Sequence, residues 1–273
     1  MVNYSAVKII KDTSGKERVM IRVDKTLDEL MKEKPSSRWD PDYWHPMHEE
    51  MLAEIDKKYQ IAILGSLLGT PIIAPDHVRA SKGEKIGASH DVEYRTLKDL
   101  LFTGLNYSHT NYCSDNAYQR LKRSQLILGD ILFAGSGIGA IGRIGIVEHV
   151  SNKSCVGDLF IIRNTKVNRY YLYIYLLTKF GQLQIEKIFH GIQSAKISTS
   201  EIEMIKVPIL PELVQANIES EFKKISLLHD RAMERKKNGE DNEYEKYLNK
   251  AEKILLDFIS RTEAVIRGER DDI

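Results

Sequence analysis

A chain of 273 residues, 42% hydrophobic and 29% charged with a net charge of +1, can hold one large domain or two small ones around a real core. It has no run of about 18 apolar residues and no basic start followed by an apolar stretch, so a membrane span and a secretory leader are not expected and the cytoplasm is. Cys113 and Cys155 stand without metal-ligand spacing and read as reduced thiols, so no bound metal is expected.

Residues 7–23 read as a β-hairpin turning at Ser14-Gly15, and residues 24–34 as a short helix with Leu27, Leu30 and Met31 on one side. An aromatic and proline-rich loop, Arg38-Trp39-Asp40-Pro41-Asp42-Tyr43-Trp44-His45-Pro46, leads to a helix over about 46–59. That helix would bury Met47, Met51, Leu52 and Ile55, and residues 61–68 would enter the next module. From 77 to 125 the periodicity is poor and polar and aromatic residues are frequent, the composition of loops that carry function on a scaffold. Leu128-Gly129-Asp130-Ile131-Leu132-Phe133 reads as a tight turn delivering a buried strand. Residues 127–150 are expected to be β, with Ile131, Phe133, Ile144, Ile146 and Val150 alternating inward, and residues 159–163 form another strand.

Asn168 can cap a helix over about 169–189 that buries Leu172, Leu176, Leu177, Phe180, Leu183 and Ile188. The module closes at Pro208, and Pro211 suits the first turn of a new helix. The tail has heptad spacing in two blocks, Ile218-Phe222-Ile225-His229-Ala232 and Tyr244-Leu248-Ala251-Leu255-Phe258-Thr262-Val265. They are one residue out of phase across the polar stretch 236–242. A helical hairpin and one long broken helix both fit, and two helices side by side are favoured.

Charge is unevenly distributed. Residues 77–210 hold 17 lysines and arginines against 11 acids, a net of +6, while residues 213–273 hold 12 against 14, a net of −2. A basic module on a slightly acidic helical tail suits nucleic acid on one side and protein on the other. Three catalytic or ligand patterns are weak. Gly137-Ile-Gly139-Ala-Ile-Gly142 matches a dinucleotide fingerprint, but the pattern demands a helix over residues 143–150, which are β-branched and glycine-containing. His45, His48 and Glu49 imply no further metal ligand. Glu221-Phe-Lys223 imitates part of a nuclease motif on a heptad helix without a paired aspartate.

The order of the pieces resembles the specificity subunit of type I restriction-modification systems. The resemblance rests on the Gly129-Asp130-Ile-Leu strand with Gly135-Ser-Gly137-Ile-Gly139 behind it, and on the His190-Gly191-Ile-Gln193-Ser194-Ala-Lys196-Ile197 turn. The Ser200-Glu-Ile-Glu-Met204 helix, the Pro208-x-x-Pro211-x-x-x-Gln215-x-x-Ile218 junction and the Arg38–Pro46 opening follow the same order, covering most of residues 38–230. It implies an α+β target-recognition domain, a mixed twisted β-sheet with flanking helices, followed by long coiled-coil-type helices. The division expected is an N-terminal extension (1–39), a DNA target-recognition domain (40–210) and a helical spacer and dimerisation region (211–273).

The implied function is non-catalytic: sequence-specific binding of double-stranded DNA that directs a separate adenine methyltransferase and, through the complex, a restriction subunit, with no cofactor. The Asn-Pro-Pro-aromatic tetrad of an adenine methyltransferase is absent. One recognition module and one junction are present where family members usually carry two, so the chain looks half-length and a homodimer through the helices is expected. Candidate DNA contacts are the loop Asn106, Tyr107, Ser108, His109, Thr110, Asn111 and Tyr112 and the turn holding Gln193, Ser194 and Lys196. Lys82, Lys85, Arg95, Arg120, Lys122 and Arg123 are candidates for phosphate contacts. Candidate partner-binding residues are Ile218, Phe222, Ile225, Leu248, Leu255 and Phe258. The alternative is a coiled-coil adaptor whose β module binds a protein.

Overall fold

The structure, a computed structural model, describes residues 6–11, 17–22, 46–55, 58–76, 92–108, 111–137, 140–150, 153–188 and 196–273. By compactness the chain divides into two units, 1–57 and 58–273. In the first, strands β1 (Ala6–Lys11) and β2 (Glu17–Arg22) pair antiparallel with Ala6 opposite Arg22, as the hairpin pattern requires. Helix α1 (Pro46–Ile55) starts on its proline, where a missing N–H costs nothing. It stops short of the expected Tyr59. Lys58 and Tyr59 belong to the second unit, where Lys58 pairs with Asp271 at 2.8 Å and the Tyr59 hydroxyl donates to the Val265 carbonyl. The expected helix at 24–34 and the loop at 38–45, with His45, lie outside the described residues.

The second unit opens with β3 (Ile61–Ile63) and a 3-10 turn at Leu64–Leu67. Its last strand, β12 (Lys206–Pro208), pairs antiparallel with β3 so that Ile61 faces Pro208. The module's beginning and end therefore lie side by side, and proline occupies the end of a ladder, where its missing N–H is tolerated. Between them run β4 (Val92–Arg95), β5 (Leu100–Leu101), β6 (Gly104–Leu105), β7 (Asn111–Cys113), the short helix α2 (Asp115–Arg120), β8 (Ile131–Phe133), β9 (Ile144–Ile146), β10 (Ser154–Val156) and β11 (Phe160–Ile162). They form one mixed sheet, β10-β4-β7, with β10 parallel to β4, and one antiparallel sheet, β11-β8-β9, beside the two-stranded pair β5-β6. The α+β reading holds, with its strands distributed over several small sheets.

Strands β8 and β9 are buried on both faces, so Leu132 is inside along with Ile131 and Phe133; Val150, expected inside, is exposed. Such strands read as continuous apolar runs and not as alternation. Residues 143–150 carry β9 and extended chain, so the helix that a dinucleotide site needs is absent and that reading falls. Gly137 and Gly142 supply positive φ, +101° and +81°, for the turn between the strands. One core cluster gathers Leu100, Leu105, Leu126, Leu132, Val147, Val156 and Ile161; a smaller one gathers Val92, Tyr94, Cys113, Leu121 and Cys155. Cys113 and Cys155 thus meet, sulfur to sulfur at 3.6 Å, as buried thiols not joined in a disulfide.

Helix α3 (Arg169–Leu177) is capped by Asn168, whose side chain accepts from the Tyr170 and Tyr171 amides. The expected single helix breaks at Thr178, and α4 (Lys179–Ile188) folds back. Gly181 makes this possible, since a Cβ there would lie 2.5 Å from the Tyr175 carbonyl. The tyrosines of α3 tie down the exit strand: Tyr171 donates to the Pro208 carbonyl and Tyr175 to the Lys206 carbonyl. After α5 (Thr199–Glu203), α6 (Glu212–Lys237) and α7 (Asp241–Arg267) form an antiparallel hairpin, turned by Gly239 at φ +77°. The two heptad blocks are two helices, and the phase slip is the turn.

Candidate nucleic-acid interface

The Gly129-Asp130 turn is a structural joint. Gly129 has φ +87°, and a Cβ on it would lie 1.9 Å from Nη1 of Arg169, whose guanidinium donates to the Leu128 carbonyl. Asp130 is fully buried. Its Oδ1 accepts from Arg163 Nε at 2.7 Å, and its Oδ2 accepts from Arg163 Nη2 at 2.6 Å and the Ile127 amide at 2.9 Å. Arg163 also donates to the Gln125 carbonyl. A bidentate arginine–carboxylate pair fixes orientation as well as distance. Next to it, the Asn168 amide donates to Gln215 Oε1 at 2.8 Å, its side chain donates to Glu219, and Gln215 Nε2 donates to the Leu210 carbonyl. The Gly-Asp turn and the Pro-x-x-Pro-x-x-x-Gln junction are thus neighbours across Asn168 and Arg169.

The polar-aromatic loop begins at Asn106, directly after β6. Its amide donates to the Asp99 carbonyl, and its Oδ1 accepts from the Ser108 amide at 3.0 Å and the Ser108 hydroxyl at 2.7 Å. The Tyr107 hydroxyl accepts from the Glu148 and His149 amides, and its ring meets the His149 ring edge-on at 5.2 Å. Burial pushes the Tyr107 phenol up to about 12, so it stays protonated. Asn111 and Tyr112 are half-buried on β7, opposite Tyr94 and Glu93. His109 and Thr110 lie outside the described residues.

Arg95 is 2% exposed. It donates to the Asn106 carbonyl at 3.0 Å and to Glu93 at 2.9 Å, and its guanidinium lies 5.0 Å from the Tyr107 ring. As a phosphate contact it is therefore corrected: the group supports the loop from beneath. Arg120, Lys122 and Arg123 are exposed on α2 and the 3-10 turn after it, a segment anchored by buried Ala117, Leu121 and Ser124. Lys196 is exposed where its backbone bridges Ser136, while the Ile197 amide donates to the Gly135 carbonyl. The glycine-rich segment thus pairs with Lys196 and Ile197. A Cβ at Gly135 would lie 2.0 Å from the Phe160 ring. Gln193, Ser194, Lys82 and Lys85 lie outside the described residues.

The heptad residues proposed for a partner are used within the chain. Ile218, Phe222, Ile225, Leu255 and Phe258 are buried, Phe222 against the rings of Tyr170 and Tyr173 of α3, and Leu248 is half-buried. They hold the hairpin together and seat it on the module. What α6 and α7 offer outward is Leu213, Leu227 and Leu256, 73%, 61% and 57% exposed.

In the sequence His229 is only a heptad position. In the fold it is 2% exposed and reaches the root of the loop, Nε2 donating to the Leu105 carbonyl at 2.7 Å and Nδ1 accepting from the Thr103 hydroxyl at 2.8 Å. The carbonyl can only accept, which sets this tautomer. A polar ring at a heptad core position was the available signal. Among the described residues no three His, Cys, Asp or Glu side chains converge on a metal site, and no helix is long and apolar enough to cross a membrane.

No family model and no curated protein matches the chain. Solved structures similar to it include the S subunit of a type-I restriction-modification system from M. genitalium, 14% identical, the match covering 64% of this chain and 40% of that one with a TM-score of 0.43. Another is the HsdS subunit from Thermoanaerobacter tengcongensis, 13% identical over 65% and 44% of the two chains, TM-score 0.42. This chain spans about two fifths of the length of either structure, and at these values the likeness by itself assigns neither function nor partner.

Proposed function

We propose that the chain is a sequence-specific DNA-recognition subunit of a type I restriction-modification system, which does no bond chemistry itself and directs a separate adenine methyltransferase and restriction subunit. The observation that carries this reading is the seating of a basic module on a helical hairpin at the residues of the resembling motifs. Arg169 binds the Gly-Asp turn, Asn168 binds Gln215 of the junction, and Arg120, Lys122, Arg123 and Lys196 face solvent. Exposed cations on a rigid surface suit phosphate contacts that position a duplex, and the loop 106–112 and the turn 190–197 would read base edges. The functional division proposed is the module, roughly 40–210, and the spacer from 211 onward. The methyltransferase would dock on the outer face of the hairpin at Leu213 and Leu227, fourteen residues apart and so on one side of α6. A two-part target would be read with a second module, supplied by another copy of the chain.

The test is binding to a pool of random duplex DNA across salt. Loss of affinity linear in log salt is expected, and the triple variant Arg120→Glu, Lys122→Glu, Arg123→Glu should flatten the slope by about one for each phosphate no longer neutralised. A salt-independent response, or a slope unchanged in the variant, refutes the assignment of these cations.

A further inference from the structure

Two consecutive residues of α6 reach the candidate reading loop, His229 at its root and Asp230 through His149. His229 reaches Leu105 and Thr103, the residues just before the loop. Its ring lies against the bare backbone of Gly104, where an added Cβ would come within 3.1 Å of it, so glycine lets the imidazole approach. Asp230 accepts from His149 Nε2 at 2.9 Å. His149 in turn packs on the Tyr107 ring, and its amide donates to the Tyr107 hydroxyl. Arg95 holds the Asn106 carbonyl. Beside these contacts lies a cavity of about 460 Å³, lined in part by Arg95, Tyr107, His149, Asp230, Met233 and Lys237. The Tyr107 ring therefore borders open space and is not wedged in place by packing alone.

We infer that His229 and Asp230 are positioning residues for Asn106, Tyr107 and Ser108, so that the spacer helix sets the pose in which this stretch meets DNA without touching it. This rests on the DNA-recognition reading above. A histidine that merely fills the core would affect overall stability and leave base preference alone. A clasp acts on the loop first, because α6 shares hydrogen bonds with its root.

The full chain is compared with His229→Leu, which keeps bulk and removes both hydrogen bonds, His229→Gln, which can replace them, and Asp230→Ala, a partly exposed change that keeps the fold testable if the leucine variant unfolds. Amide hydrogen exchange is followed at Asn106, Ser108, Glu148 and His149 against β8 and β11, and base preference is selected from a randomised duplex pool. Expected are roughly tenfold faster exchange confined to the loop amides, the size of one missing hydrogen bond, in His229→Leu and Asp230→Ala. Base preference should flatten with the salt slope kept, and His229→Gln should return both towards wild type. Exchange that rises equally in β8 and β11, or preference unchanged in both loss variants while the wild-type chain binds DNA, overturns the positioning role alone. Failure of the wild-type chain to bind duplex DNA overturns the recognition reading and this role with it.

Discussion

Replacing Asp130 by asparagine takes one charge from a site that holds three donors: Arg163 Nε, Arg163 Nη2 and the Ile127 amide, all within 2.9 Å of the carboxylate. Asparagine has one acceptor oxygen. Turned either way, its amide nitrogen points a donor at another donor, and the Arg163 guanidinium loses its counter-charge in a site where Asp130 is fully buried. Removing one partner from a buried pair costs about 3–5 kcal/mol, a large part of the roughly 5–15 kcal/mol that holds a typical domain. With a urea slope of about 3 kcal/mol per molar, the unfolding midpoint should fall by about 1–2 M. Urea titrations of Asp130→Asn, Arg163→Met and the double variant Asp130→Leu, Arg163→Met form the assay. The double variant should recover much of the loss, because neither charge is then stranded. A loss below about 1 kcal/mol in Asp130→Asn, or additive single and double losses, would refute the claim that this pair fastens the joint.

Gly129→Ala should cost about 1–2 kcal/mol through its positive φ, and Arg169→Ala in the same chain should not rescue it, because the strain is in the backbone and the arginine end can move aside; full rescue in denaturant titrations would show that the contact and not φ is the cause. Phe222→Ala should destabilise by about 3–5 kcal/mol, whereas Leu227→Ala on the open face should change stability by under about 0.5 kcal/mol and weaken methyltransferase capture. Equal stability losses in the two would contradict the inward placing of the heptads. Burial lowers the His229 pKa below its ordinary 6.5, so the unfolded chain binds the proton more readily and stability falls as pH drops through about 6.5. Burial raises the Glu148 pKa, and its folded form then binds protons more readily, which works in the opposite sense. Subtracting the His229→Gln curve of stability against pH between 5 and 7 isolates the histidine; identical curves would dismiss it.

Elements written in local chemistry were legible. The hairpin β1-β2, the buried strand after Gly129-Asp130, the Asn168 cap and the helical tail each follow from spacing, turn residues and caps within a dozen residues. What failed depended on which groups meet in three dimensions, even where they are close along the chain. The helix reads as continuous across Thr178 because no proline marks the break, and Gly181 only permits the close approach to the Tyr175 carbonyl. Arg95 reads as a surface cation because strand β4 gives no sign that Glu93 and the Asn106 carbonyl will take its donors. The heptads identified the right residues and the wrong acceptor of their apolar face. A period of 3.5 says that a seam exists, and it does not say whether α6 meets another molecule or α7, the next helix of the same chain.

On the proposed function, what makes the module recognisable differs from what would let it discriminate. Gly129 is used for its backbone angle, Asp130 for Arg163, Pro208 for the Tyr171 hydroxyl and Gln215 for Asn168 and Leu210. Each of these groups is spent on an internal partner, so none can also be offered to a base edge. Substituting them should change stability and the seating of the hairpin while leaving the kind of base preferred intact. On that reading, preference would come from side chains not so engaged, with Asn111 and Tyr112 as candidates, whereas Asn106 and Tyr107 are held by Ser108, Glu148 and His149 and serve the shape of the loop. The loop leaves the framework at Leu105, held by His229, and Lys196 is fixed to that framework by its bridge to Ser136.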